Sequence, residues 1–88
     1  MNAIIFKDIV VVLADPIEKG KRNNENVFGY DLSGELLWQI KDLDLFHENH
    51  DYTSIYIQDQ DFYLYNRCGI EVKIDPATGT VLSTELIR

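Results

Sequence analysis

Eighty-eight residues with 45% apolar side chains suit a single globular domain rather than a disordered chain. Fifteen acidic against eight basic side chains leave a net charge of −7, which argues against nucleic acid or an anionic membrane as partner, since both recruit clustered Lys and Arg. One cysteine, Cys68, excludes an internal disulfide and fits a reducing, cytoplasmic compartment.

The opening run "MNAIIFKDIVVVLAD" has no basic leader and no small-residue cleavage site, and Lys7 and Asp8 interrupt it. It reads as two strands, 3–6 and 8–14, not as a signal peptide or a membrane span. The second is Val- and Ile-rich almost without a break, the composition of a strand covered on both faces. Asp15-Pro16 ends it, and 15–26 reads as a polar loop. Residues 27–31 and 35–40 form a hairpin, with Leu36, Trp38 and Ile40 expected on one face. Residues 41–51 show no strand-like alternation and leave room for a helical turn. Four further strands follow at 52–58, 62–66, 70–75 and 80–86, linked by the turn compositions "DQD", "RCG" and "PATG". No segment sustains a 3.6-residue apolar period. The chain is expected to be all-β.

Two stretches are near copies: "FGYDLSGELLWQ" from Phe28 and "VKIDPATGTVLS" from Val72. Each places an Asp at the start of a turn and a Gly at its end. The Asp side chain can accept backbone N–H groups, and the Gly can take the left-handed conformation a bulged hairpin needs. Pro76 presets φ in the second copy; the first is one residue shorter and has no Pro. The chain therefore divides into two four-strand meanders, about 1–40 and 52–88, within one domain of 1–88.

The repeated phrase resembles the quinoprotein-type, pyrroloquinoline-quinone-like propeller repeat, whose docking motif runs Ala-x-Asp-x-x-Thr-Gly-x-x-x-Trp. Asp31, Gly34 and Trp38 match it in the first copy, with Gly29 at the Ala place. Asp75, Thr78 and Gly79 match it in the second, where Lys73 replaces Ala and Ser83 replaces Trp. The resemblance covers the two hairpins and implies a small stand-alone protein of bacterial type built from blade-like units. It brings no quinone, heme or calcium site to any position. Two units cannot close a propeller alone. The expected architecture is a small antiparallel β-sandwich, the alternative being blades completed by oligomerisation, with a structural or carbohydrate-binding role.

Candidate function sits in the segment from Asp42 to Asp61. It holds Asp42, Asp44, Glu48, Asp51, Asp59 and Asp61 without a Lys or Arg, interleaved with or flanked by Phe46, Tyr52, Tyr56 and Tyr63. Turn positions favour Asp in any protein. Crowded carboxylates also repel, and a cationic partner would relieve them. These ten residues are the candidate partner-binding set. His47 and His50 lack the His-Glu-x-x-His spacing and read as exposed loop histidines; no metal and no cofactor is assigned. No Gly-x-Ser-x-Gly elbow, phosphate loop or dinucleotide fingerprint occurs, and Cys68 reads as a turn thiol. The expectation is a non-enzymatic acidic module that binds a basic protein, in concrete form an immunity or antitoxin-type inhibitor of a cationic toxin such as a nuclease. A monomer is favoured, with a homo-oligomer open.

Overall fold

Among residues 2–18, 21–43 and 50–87, which the computed structural model describes, the regular elements are all β-strands. The first sheet is built from β1 (Asn2–Phe6), β2 (Ile9–Leu13), β5 (Val27–Asp31) and β6 (Leu36–Gln39), in the order β1-β2-β5-β6. The second contains β7 (Tyr52–Gln58), β8 (Asp61–Asn66), β9 (Ile70–Ile74) and β10 (Val81–Leu86), in the order β10-β9-β8-β7. All pairings are antiparallel. Each sheet is a meander, and the two pack as a small sandwich around one core. The polar stretch 15–26 is not a plain loop. It carries a two-stranded ladder of β3 (Ile17–Glu18) and β4 (Lys21–Arg22).

Turn chemistry sets the registers. Lys7-Asp8 and Asp59-Gln60 form two-residue turns in which both residues have positive φ, 48° and 68° in the first and 52° and 69° in the second. That geometry matches the right-handed twist of the strands it joins. At the longer turns, Asp31 Oδ1 accepts the Ser33 hydroxyl (2.6 Å) and the N–H groups of Ser33 (2.9 Å) and Glu35 (3.0 Å). Those bonds, the Ser33 hydroxyl foremost and the Glu35 N–H next, hold the Asp31 carboxyl below its usual range. Asp75 repeats the device, taking the Ala77 N–H on Oδ1 (2.9 Å) and the Gly79 N–H on its carbonyl (2.7 Å).

Strand alternation sorts the faces. In the first sheet, Ile4, Val11, Gly29 and Trp38 lie in one cross-strand row and face the second sheet. From the second sheet Ile55, Phe62, Leu64, Ile70, Val72 and Ile74 face back. Phe6 meets Phe62 edge to face, centroids 6.0 Å apart. The Trp38 indole is wedged between Gly29 of its own sheet and Gly79 in the β9–β10 turn, where a Cβ on either glycine would collide with the ring. Its Nε1 donates to the Pro76 carbonyl (2.7 Å). Leu36 does not join Trp38 on the inner face, contrary to the simple alternation. The register shifts between Gly29 and Tyr30, so Leu36 stands opposite Tyr30 and is 52% exposed.

The two turn glycines should respond unequally to substitution. Gly34 (φ 91°) has open space around it, so Gly34→Val should cost only the left-handed strain, about 1–2 kcal/mol. At Gly79 (φ 75°) a Cβ would come 2.6 Å from the indole, so Gly79→Val should add displacement of Trp38 to the same strain. Denaturant unfolding should rank Gly79→Val well below Gly34→Val; equal midpoints would contradict the wedge.

Candidate functional site

On the face of the second sheet turned away from the core, alternation along β8 brings out Asp61, Tyr63 and Tyr65, and along β9 Glu71 and Lys73. Pairing then aligns them. Tyr56, Tyr63, Lys73 and Ser83 form one cross-strand row; Ser54, Tyr65, Glu71 and Glu85 form the next. Tyr56 and Tyr63 stack with centroids 5.5 Å apart and planes 22° from parallel. The Tyr56 hydroxyl reaches diagonally over β8 to donate to the Glu71 carboxylate. Desolvation first, and that carboxylate second, push the Tyr56 phenol well above its ordinary range, so it stays a donor at any physiological pH. Lys73 Nζ pairs with Asp61 Oδ2 (3.3 Å).

The balance of this face is acidic. Glu71 stands directly opposite Glu85, a like-charge cross-strand pair that folding does not reward and that costs up to about 1 kcal/mol. Lys73 is already engaged by Asp61, and Asp59 extends the acidity to the β7–β8 turn. Three tyrosines framed by these carboxylates offer flat amphipathic surface at low entropic cost, the composition of an interface anchor.

Of the ten expected binding residues, Tyr56, Asp59, Asp61 and Tyr63 meet here. Asp44, Phe46 and Glu48, with His47, lie outside the described residues. Asp51 and Tyr52 are corrected: both are buried, at 0% and 1% exposure. A register shift between Tyr52 and Ser54 turns Tyr52 into the core. Asp51 sits beneath the start of β7, with Arg67 Nε donating to its Oδ1 (3.1 Å). Asp42 is part exposed but belongs to a different cluster. His50 Nε2 donates to Asp42 Oδ1 (2.7 Å), and Asn24 Nδ2 lies 3.5 Å from His50 Nδ1. His50 is thus a buried joint residue, 1% exposed, and not the exposed loop histidine expected. Tyr65, Glu71 and Glu85 stand outside the ten expected residues; period-two alternation from Tyr63 points to Tyr65, whereas Glu71 and Glu85 reach this face only through strand pairing.

Asn26 joins the two sheets. Its side-chain amide donates to the carbonyls of Ala14 (3.1 Å) and Tyr52 (2.9 Å) and accepts the Tyr52 N–H (3.0 Å). The Tyr52 hydroxyl, by contrast, has no hydrogen-bond partner among the described residues. Burial, and secondarily the Asp42 charge, push its pKa from 10 up to about 12. The folded chain therefore keeps this proton over a range where the unfolded chain releases it. The stability it contributes is complete below pH 10 and declines as pH rises from 10 to about 12, by roughly 2–3 kcal/mol for a shift of this size. Tyr52→Phe should flatten that alkaline slope and leave stability at neutral pH equal or higher. An unchanged slope would place the loss elsewhere.

Among the described residues no three His, Cys, Asp or Glu side chains are grouped to hold a metal ion, and no helix is long and apolar enough to cross a membrane. Cys68 lies in the β8–β9 turn, its N–H donating to Asn66 Oδ1 (3.0 Å). A family model matches residues 1–86. The chain belongs to the DUF7957 family, a domain of unknown function. No curated protein and no solved structure matches it. The DUF7957 chain thus presents, as its candidate site, a tyrosine-and-carboxylate sheet face.

Proposed function

We propose that this chain is a non-enzymatic binding module that engages a basic protein through the outer face of its second sheet. The single observation that carries the reading is the Glu71–Glu85 juxtaposition beside Tyr56, Tyr63 and Tyr65. A Lys or Arg laid between the two carboxylates would convert a repulsive pair into a charge-assisted one, while the tyrosines bury the stem of that cation. The net charge of −7 would steer such a partner in from a distance. A cationic toxin fits this chemistry, because a nuclease must carry Lys and Arg where it holds phosphates. Carboxylates on a rigid sheet can occupy that place, which is how an immunity or antitoxin-type inhibitor acting in the cytoplasm would work.

A second reading, a structural module of propeller-like units, rests on the wedging of Trp38 between Gly29 and Gly79. The two separate on where a partner binds. Capture from the native host, followed by titration of the captured protein, should give an affinity that falls as salt rises. Glu71→Lys and Glu85→Lys should each slow association several-fold, and Tyr63→Ala should speed dissociation about tenfold or more. Binding indifferent to salt and to all three changes would overturn the proposal.

A further inference from the structure

The first sheet also has an outer face, and its character is the reverse. Two cross-strand rows run over it. Ile5, Val10, Tyr30 and Leu36 form one; Ala3, Val12, Phe28 and Gln39 form the other. No charged side chain stands in either row, in a chain where 26% of residues are charged. Ile5 is 68% exposed, and Val10, Val12, Phe28 and Tyr30 are half-buried. The Phe28 and Tyr30 rings lie 6.4 Å apart on the same side. Single exposed apolar side chains need no explanation, but a contiguous uncharged face on four strands does. Strand β2 is the centre of the problem. From Ile9 to Leu13 it has no polar residue, the pattern of a strand covered on both sides, yet only Ile9, Val11 and Leu13 pack toward the core, and Val10 and Val12 face outward.

We infer that a second copy of this chain covers this face, the two first sheets packing against each other across a two-fold axis. Charge decides the occupant. A heterologous basic or acidic partner finds no complementary group in either row. An identical uncharged face complements itself, and a two-fold contact of one patch with its own copy closes without leaving a further open face. The same arrangement sends the two acidic tyrosine faces to opposite ends of a four-sheet stack. With sheets about 10 Å apart, those faces lie roughly 30 Å from each other, about three screening lengths at ordinary ionic strength. The acidic side chains of those two faces therefore oppose this dimer little, and would oppose far more any dimer made through the second sheet.

Size predicts its strength. Four strands about 4.8 Å apart and five residues about 3.3 Å apart span roughly 300 Å² in projection. Side-chain relief about doubles that in accessible area, so the pair buries on the order of 1,000–1,200 Å², the lower bound for specific association. The dimer should be weak, with a Kd on the order of tens of micromolar.

Sedimentation of the full chain from about 1 µM to about 500 µM, bracketing that Kd, tests the inference. The expected result is a reversible monomer–dimer equilibrium that holds or tightens as salt rises, since no attractive charge pair is made. Ile5→Lys and Leu36→Lys, both at exposed positions of edge strands, should each weaken it at least tenfold with the melting temperature unchanged. Leu82→Lys, an exposed apolar position on the second sheet (56% exposed), should leave it intact. A chain monomeric throughout overturns the inference and leaves the face to a different protein. A dimer that dissociates with salt, survives both first-sheet changes, or is dispersed equally by Leu82→Lys also overturns it.

Discussion

Trp38→Ala should lower the unfolding free energy by about 3–5 kcal/mol, the range for removing a buried aromatic side chain. The indole is 8% exposed and fills the gap between Gly29 and the β9–β10 turn. No neighbour can collapse into that gap without moving a sheet, because both walls are backbone. The substitution also strips the Pro76 carbonyl of its donor. Trp38→Phe should recover most of the packing and still lack that bond, leaving a deficit of about 1–2 kcal/mol. Trp38 is the chain's only tryptophan, so the wild-type transition can be followed by its emission and the variants by circular dichroism. Native stability in Trp38→Ala would show that the sheets do not lean on the ring.

Asn26→Ala should be comparably severe, at about 3 kcal/mol or more. One amide makes three hydrogen bonds to the backbone of Tyr52 in β7 and of Ala14 just past β2, and the residue is fully buried. Its removal leaves the Ala14 and Tyr52 carbonyls and the Tyr52 N–H without that partner, at roughly 1–3 kcal/mol for each group that water cannot reach. Asn26→Asp is expected to fare no better at neutral pH, since it keeps the acceptor, loses both donors and buries a charge. If Asn26→Ala unfolds at the wild-type denaturant midpoint, the sheets are joined by other means.

The parts of this fold legible in the sequence were those written in local chemistry. Asp31 and Gly34, and Asp75 and Gly79, announced their turns because the residues that make the bonds are neighbours in the chain. The strands of the second half followed from alternation between such turns. What stayed hidden was set by register and by contacts between distant segments. Two register shifts, at Tyr52/Ser54 and at Gly29/Tyr30, reverse which side of a strand faces inward. They sent Tyr52 into the core and Leu36 out of it, against the expected pattern. His50 and Asp51 read as polar loop residues until Asp42, Asn24 and Arg67 arrived from elsewhere in the chain to satisfy them. The candidate site was half visible. Tyr56, Asp59, Asp61 and Tyr63 lie in the acidic stretch, whereas Glu71 and Glu85 join it only through pairing across β8, β9 and β10.

The separation of the two meanders also bears on how the chain is made. Synthesis runs from the N-terminus, so the last strand of the first sheet, ending at Gln39, emerges from the ribosome before the second sheet does. At that moment β2 lacks its cover from the second sheet: Ile9, Val11 and Leu13 await it, and Val10 and Val12 stay half-buried on the outer face even in the finished fold. The nascent first half thus exposes that apolar strand, and the polar stretch 15–26 interrupts its apolar run in the way charged and turn residues break aggregation-prone segments. Expression yield should depend on how quickly residues 52–86 follow.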